Sequence, residues 1–462
     1  MHARPETLGA LLGSASASDR GVVFVDRAER EVRLPYSEIA ARARTVAGGL
    51  QRLGLRTGDR VALVLPTGPG FYDAFFGAVL AGLVPVPLYP PVRLGRLDEY
   101  HTRTATMLHA CRARVVLCDK RTRRVIGRSI ERARPELGCL TVDEIARAEP
   151  EPAQRVADDV AFIQFSSGST AEPRPVELTH RQILANAAAI LRAIFEAHPE
   201  APGAPHVGVS WLPLYHDMGL VGAVVSALYH PGELVLIPPE AFVTRPALWL
   251  RAISRHRGTI SPAPNFAYGL CLDRVRDEEL VGVDLSSWKV ALNGAEPVTP
   301  AVLARFVERF GSWGLPSTAL TPVYGLAEAT LAVTFSDLTR RFRSERFDRD
   351  ALHHDGVARP DAEGHPLVSL GPALPGLEVR IAGPDGEPLG EGELGDVRVR
   401  GPSVMRGYHA MPEATAGKIR RGETRRRFLA GELEPPAPVH ALRLALEMVR
   451  SRIQLSRVRR EG

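Results

Sequence analysis

Lysine is nearly missing from this 462-residue chain: Lys120, Lys289 and Lys418 are the only three among 58 basic residues. The rest are arginines, so an arginine standing where a lysine is usual reflects this bias as readily as any chemistry. Cysteine is scarce too. Cys111, Cys118, Cys139 and Cys271 are scattered, with no C-x-x-C pair and no nearby histidine cluster. That argues against a zinc site or a disulfide framework and for four reduced, structural thiols. No apolar run approaches the ~18 residues of a membrane span, and the N-terminal MHARPETLGALLGSASASDR has no signal-peptide core. The expectation is a cytoplasmic protein with no membrane span. A basic body is lacking as well, although the formal net charge is +5. Residues 417–462 hold 12 Lys+Arg against 5 Asp+Glu, which leaves the remainder slightly negative and implies no nucleic-acid partner.

What is present is an ordinary globular composition, 45% hydrophobic and 24% charged, in a chain long enough for two or three cores. Short apolar runs such as GVVFVD (21–26), RVALVL (60–65), VPVPLY (84–89), RVVLCD (114–119), VAFIQF (160–165), VGVSWL (207–212), ELVLIP (233–238), GTISPA (258–263) and KVALNG (289–294) read as strands. Between them lie amphipathic stretches at 37–55, 179–195 and 299–314. This alternation predicts an α/β fold of two helix-covered, mainly parallel sheets. The polar stretch 146–159 separates a first α/β subdomain (1–150) from a second that carries the nucleotide site (159–368). Within the second, the charged stretch 340–366 reads as an exposed insertion. Alternating residues around PDG and GEG turns predict a small antiparallel β subdomain over 369–409, and 410–462 form a basic tail.

Four loops carry chemistry. SSGSTAEPR (166–174) follows a strand and precedes a helix whose start is marked by Thr179 with Gln182 three residues on, a capping-box pattern. Gly168 permits close backbone approach, Ser166, Ser167, Ser169 and Thr170 supply hydroxyls, and Arg174 supplies a fixed charge, as a phosphate loop requires. An ordinary Ser/Gly surface turn has the same composition, and the loop is not of the G-x-x-x-x-G-K-[ST] type. PLYHDMGL (213–220) sets the pair His216–Asp217 between a strand and an apolar helix. NGAEPV (293–298) places Asn293, Gly294, Ala295 and the carboxylate of Glu296 after a strand, and YGLAEATL (324–331) places Glu328 four residues after Tyr324. Each residue has a plain structural use as cap, core or solvated group. Four such loops at strand ends, where open α/β sheets bind ligands, favour one composite site.

In this order the motifs resemble the adenylate-forming (AMP-binding) superfamily, and PLYHDMGL, YGLAEATL and the position of the 340–366 stretch are similar to its fatty acyl-AMP ligases. The likeness runs from about Pro35 to about Tyr408. It implies activation of a fatty-acid carboxylate by ATP with Mg²⁺, then transfer to the phosphopantetheine thiol of an acyl carrier protein, in lipid or polyketide biosynthesis. By the same resemblance Ser166 to Thr170 and Arg174 would hold the β- and γ-phosphates, and Thr170 and Glu328 would serve the metal. Asn293, Gly294 and Ala295, with Glu296 beside them, would lie against the adenine, and Tyr324, followed by Gly325, Leu326 and Ala327, would close its other side. His216 would sit where acyl chain meets phosphate. Catalysis would rest on His216, Glu328 and Arg174 as positioning and charge-stabilising groups, since the substrate carboxylate is itself the nucleophile.

The chain departs from the family pattern twice. Ala171, Arg174 and Pro175 replace a usual Gly, Lys and Gly; arginine keeps the charge as a planar fork, and the proline removes one N–H. After Tyr408 there is no threonine-glycine-aspartate turn, hinge or lysine-bearing C-terminal domain, and Lys418 has no matching context. Three readings follow: an acyl-AMP ligase working with a C-terminal domain supplied by a separate chain, an acyl-CoA synthetase, or a non-catalytic nucleotide- or acyl-binding remnant.

Overall fold

The computed structural model describes residues 5–91, 97–166 and 173–412. Eighteen strands are assigned among them: β1 Gly21–Val25, β2 Glu31–Pro35, β3 Arg60–Val64, β4 Val84–Pro87, β5 Val115–Cys118, β6 Cys139–Thr141, β7 Val160–Phe165, β8 Pro175–Thr179, β9 Val207–Ser210, β10 Glu233–Leu236, β11 Ile260–Ala263, β12 Val290–Asn293, β13 Leu320–Gly325, β14 Ala332–Phe335, β15 Ser344–Phe347, β16 His365–Val368, β17 Glu378–Ala382 and β18 Asp396–Arg400.

The larger sheet has the order β14-β13-β12-β11-β9-β10-β1-β2, parallel except for its two edge strands. The smaller, β4-β3-β5-β6, is parallel throughout. Strand periodicity explains how they stack. Val61 and Leu63 of β3 point into one core with Val22, Leu234 and Leu236 of the large sheet and with the helices Leu8–Ala15, Tyr36–Arg52 and Pro69–Leu80. Ala62 and Val64 point the other way, to the helix Leu97–Ala110. On the large sheet Val23, Val209 and Val235 face a further core under the helices Ala247–Arg255, Asn265–Arg274 and Pro300–Phe310. Helices thus fill the space between two sheets and cover both outer faces, the α/β architecture expected. All four cysteines are buried and free.

The strands of residues 1–150 are divided between the sheets, because β1 pairs with β10 in parallel and carries β2 with it. The sequence reading had set the whole segment apart as one subdomain; strand pattern reports burial, and it does not report which strand lies alongside. The stretch 340–366 is largely exposed and folds back as the antiparallel pair β15–β16, with Ala351 and Leu352 buried at its turn. β17 and β18 pair antiparallel, as the turn signals imply. Among the described residues no helix is long and apolar enough to cross a membrane. Apart from its first three residues, the basic tail at 410–462 lies outside the described residues.

Candidate active site

Chain order places β10 on one side of β9 and β11 on the other. Connections therefore leave the centre of the large sheet in opposite directions, and ligands of open α/β sheets bind at the strand C-termini beside such a switch. The loops that follow β9, β11, β12 and β13 all open on that edge.

The segment before the helix His180–Ala197 differs from the sequence reading. Pro175–Thr179 is a strand, β8, antiparallel to β7, so the motif is strand–loop–strand–helix. β8 is also bonded on its other side, where Pro175 O accepts from His409 N (2.8 Å) and Val176 bridges to Tyr408. The expected capping box is present, with Thr179 Oγ1 accepting from Gln182 N and Gln182 Oε1 from Thr179 N. At the neck of the loop Ser166 N donates to Arg174 O (2.9 Å) and Arg174 N to Ser166 Oγ (3.2 Å). Ser167, Gly168, Ser169 and Thr170 lie outside the described residues.

Arg174 and Glu328 meet through Tyr408. The guanidinium carbon stands 5.4 Å from the Tyr408 ring centroid, a cation–π geometry. Tyr408 Oη donates to Glu328 Oε1 at 2.9 Å, and Glu328 O accepts from Met405 N at 2.7 Å. Burial and then the Glu328 carboxylate push the Tyr408 phenol up, so it stays a donor. Glu328 occupies a turn held open by local chain geometry. The register shifts between Tyr324 and Gly325, and a Cβ on Gly325 would lie 2.0 Å from Leu331 O. Leu326 N donates to that same carbonyl (2.8 Å), and the short 3₁₀ turn Ala327–Ala329 follows. Fully buried Asn186 clamps the turn: Oδ1 accepts from Ala332 N (3.0 Å), and Nδ2 donates to Ala332 O (2.9 Å) and Ser403 Oγ (3.2 Å).

His216 follows β9 and opens an eight-residue π-helical segment, Met218–Val225, a rare conformation that concentrates at functional sites. Asp217 Oδ1 accepts from Met218 N (2.8 Å) and sits 2.6 Å from His216 Nδ1. Burial disfavours the imidazolium, but Asp217 outweighs it and the His216 pKa is raised. Sequence reasoning missed Gln164. Its Nε2 donates to Tyr215 O (2.9 Å), tying the strand before the phosphate loop to the histidine loop, and its buried Oε1 has no partner. A polar residue inside the apolar run VAFIQF was the available signal.

Asn293 ends β12 fully buried; its Nδ2 reaches Asn265 Oδ1 (3.3 Å) and its Oδ1 has no partner. A Cβ on Gly294 would meet Val323 at 2.8 Å, and Ala295 adopts φ +68°. Glu296 is exposed and accepts from Phe266 N (2.5 Å), so it caps the helix Asn265–Arg274 from a neighbouring loop. Tyr324 pairs with Thr334 at the end of β13.

Beneath this edge lies a mainly apolar cavity of about 100 Å³. Met218, Gly222 and Leu331 line it beside the His216 and Glu328 loops, and Ile190, Ile194 and Leu292 line its length. None of these residues was singled out from sequence, because core-forming and cavity-lining apolar side chains share one periodicity.

An α/β sheet whose strand ends gather a histidine, a buried asparagine and a carboxylate that Tyr408 links to Arg174, above an apolar cavity, defines a nucleotide-dependent enzyme acting on a partly apolar substrate. The chain belongs to the AMP-binding enzyme family, whose profile matches residues 14–409. It is 34% identical over 415 residues to a Caulobacter vibrioides protein named as an acyl-CoA synthetase, covering 89% of this chain and 72% of that one. It is 33% identical over 407 residues to the medium-chain-fatty-acid–[acyl-carrier-protein] ligase JamA of Moorena producens, covering 85% and 67% respectively. The structure superposes on a Legionella pneumophila fatty acyl-adenylate ligase, solved with acyl adenylate and pyrophosphate, with a TM-score of 0.79 and 30% identity over 89% of this chain and 71% of that one.

Proposed function

We propose that this protein uses ATP to convert a fatty-acid carboxylate to an acyl-adenylate and then delivers the acyl group to the phosphopantetheine thiol of an acyl carrier protein, in lipid or polyketide biosynthesis in the cytoplasm. The observation that carries the reading is the mainly apolar cavity that Met218 and Gly222 line beside the His216 loop, which offers an alkyl chain a place and has its carboxylates, Glu200 and Glu233, only at the far end. A carboxylate oxygen attacks the α-phosphorus, the bond to the β-phosphate oxygen breaks, and pyrophosphate leaves. The carrier thiol then loses its proton, its sulfur attacks the acyl carbonyl, and AMP departs.

Ser166 to Thr170 and Arg174 hold the β- and γ-phosphates in this proposal. Asn293, Gly294 and Ala295, with Glu296 at the rim, flank the adenine, and Tyr324 to Ala327 form its opposite wall. The partnerless buried oxygen of Asn293 and the crowding at Gly294 suit a site that takes a polar, flat ring close to backbone. Among the described residues no three His, Cys, Asp or Glu side chains cluster to hold a metal by themselves. Mg²⁺ commonly takes one or two carboxylates plus phosphate oxygens, and Glu328, with Thr170, would supply the protein's share. When bound, it would offset charge on the phosphates. His216, whose pKa Asp217 raises against the effect of burial, would stand as a donor where carboxylate and α-phosphate meet.

ATP–pyrophosphate exchange driven by fatty acids tests the first half, with and without an added chain carrying a lysine-bearing C-terminal domain; no exchange in either arm would leave a non-catalytic binding role. The likeness to an acyl-CoA synthetase favours a second reading for the acceptor. Faster acyl transfer to free coenzyme A than to a carrier protein would establish that reading instead.

A further inference from the structure

The cavity crosses the large sheet from one edge to the other, and its two ends differ in chemistry. At the far end, by the N-termini of β9 and β10, its lining includes Phe195, Glu200, His206, His230 and Glu233. His206 is committed to the fold: Nδ1 meets Thr259 Oγ1 at 3.0 Å and Nε2 meets His198 O at 2.8 Å. Phe195 stacks on His206 (centroids 5.2 Å) and stands edge-on to His230 (4.7 Å). Glu200 Oε1 accepts from His206 N (2.8 Å), leaving Oε2 to face His230 Nε2 at 3.2 Å. The side chains of Glu200 and His230 are 26% and 49% exposed, so this pair forms a wet, polar rim that can rearrange.

From Ser210 back to His206 is four strand residues, about 13 Å at ~3.3 Å per residue. An extended zigzag advances roughly 1.2 Å per bond, given that three backbone bonds span up to ~3.6 Å. About eleven bonds therefore separate the reactive edge from the rim. Methylenes inside the cavity gain burial, and those beyond it return to water. A methyl stopping at the rim would strip water from a carboxylate and an imidazole without bonding to either, whereas a hydroxyl bonds to both.

We propose that the Glu200–His230 rim is a distal subsite that ends the acyl tunnel at about ten to twelve carbons and favours chains whose terminal carbon bears a hydroxyl over those ending in methyl. The inference rests on the acyl-binding reading of the cavity but not on catalysis, so binding is measured first, by calorimetric titration of the full chain with fatty acids in the absence of ATP. From six carbons upward Kd should fall about fourfold per methylene and level off by roughly twelve. The 12-hydroxydodecanoate should bind about fivefold tighter than dodecanoate. His230→Leu should erase or reverse that preference while leaving short-chain affinity unchanged, and Glu200→Gln, which keeps the acceptor to His206 N, should lower it. Affinity still rising through sixteen and eighteen carbons, or no gain from the hydroxyl in the unaltered protein, overturns the proposal even if exchange activity is robust. The expected binding pattern without exchange upholds it and removes the catalytic reading alone.

Discussion

Asn186 is the residue whose removal should cost the site most without touching a substrate. Its side chain makes three well-formed bonds, to Ala332 N, Ala332 O and Ser403 Oγ, at 3.0, 2.9 and 3.2 Å, with a longer contact to Ala329 O at 3.4 Å. Asn186→Ala strands the two Ala332 groups inside the protein. At about 1 kcal/mol per lost bond, with the orphaned pair at the upper end, the local penalty is about 3 kcal/mol, or roughly a hundredfold in the opening equilibrium of the Glu328 turn. Hydrogen exchange of a peptide spanning 324–335 reads this directly, since the Ala332 amide should exchange about a hundredfold faster. Asn186→Asp sharpens the argument. It keeps the acceptor for Ala332 N but turns a second oxygen toward the carbonyls of Ala332 and Ala329, so it should be at least as damaging despite being isosteric. Both variants should lower pyrophosphate exchange at least about tenfold by releasing Glu328. Exchange within threefold of the unaltered protein in Asn186→Ala, or better protection in Asn186→Asp, would show that something else holds the turn.

Other expectations follow from the same contacts. His216 has a raised folded pKa, so the stability it contributes is complete below its unfolded value of 6.5 and is lost as pH rises through the folded one. Asp217→Asn, which keeps the acceptor to Met218 N, should move the His216 titration downward by NMR and be more destabilising at pH 6 than at pH 9. His180 is the opposite case: burial lowers it to about 4, with Leu8 N donating to its Nδ1. Its stability is complete above 6.5 and drains as pH falls toward 4, by about 3 kcal/mol, so His180→Gln should flatten thermal stability across that window. Arg174→Lys should change the KM for ATP by no more than about threefold and Arg174→Ala raise it about tenfold or more, as expected if charge rather than fork geometry serves the phosphates. Glu328→Gln should raise the Mg²⁺ requirement and cut the exchange rate about a hundredfold, whereas Tyr408→Phe, which keeps the ring under Arg174, should cost about tenfold or less.

The architecture was legible because burial leaves period-2 and period-3.6 marks: RVALVL had to be a strand between two apolar layers, and Val61 and Ala62 do point to different cores. Partnership was not legible. Nothing in GVVFVD says that it lies beside ELVLIP, since both are buried strands and only the assembled sheet decides the order. β8 was hidden because its sequence, PVELT, is short and its second partner is the segment at Tyr408, far along the chain. Of the candidate site, the loops stood out in the sequence by their turn residues and their carboxylates. The linkers that bind loop to loop were missed, because Gln164 and Asn186 sit in runs that read as ordinary core and Tyr408 marked only where the likeness ends. The far rim of the cavity was missed for a different reason: Glu200 and His230 belong to loops that look solvated until the sheet edge is built between them.

The placement of β1 and β2 bears on how the chain is made. Val22 waits for Leu234, roughly 200 residues away, and at ~5–20 residues per second that partner emerges about 10–40 s later. During synthesis the hairpin of β1 and β2 is a two-stranded ribbon with one apolar edge open, a form that is marginal alone and prone to pair with other chains. The smaller sheet can close as soon as β6 is out, well before β10 exists. A nascent chain of this protein should therefore pass through a stage with one finished sheet and one waiting edge, the stage at which a ribosome-bound chaperone would matter most.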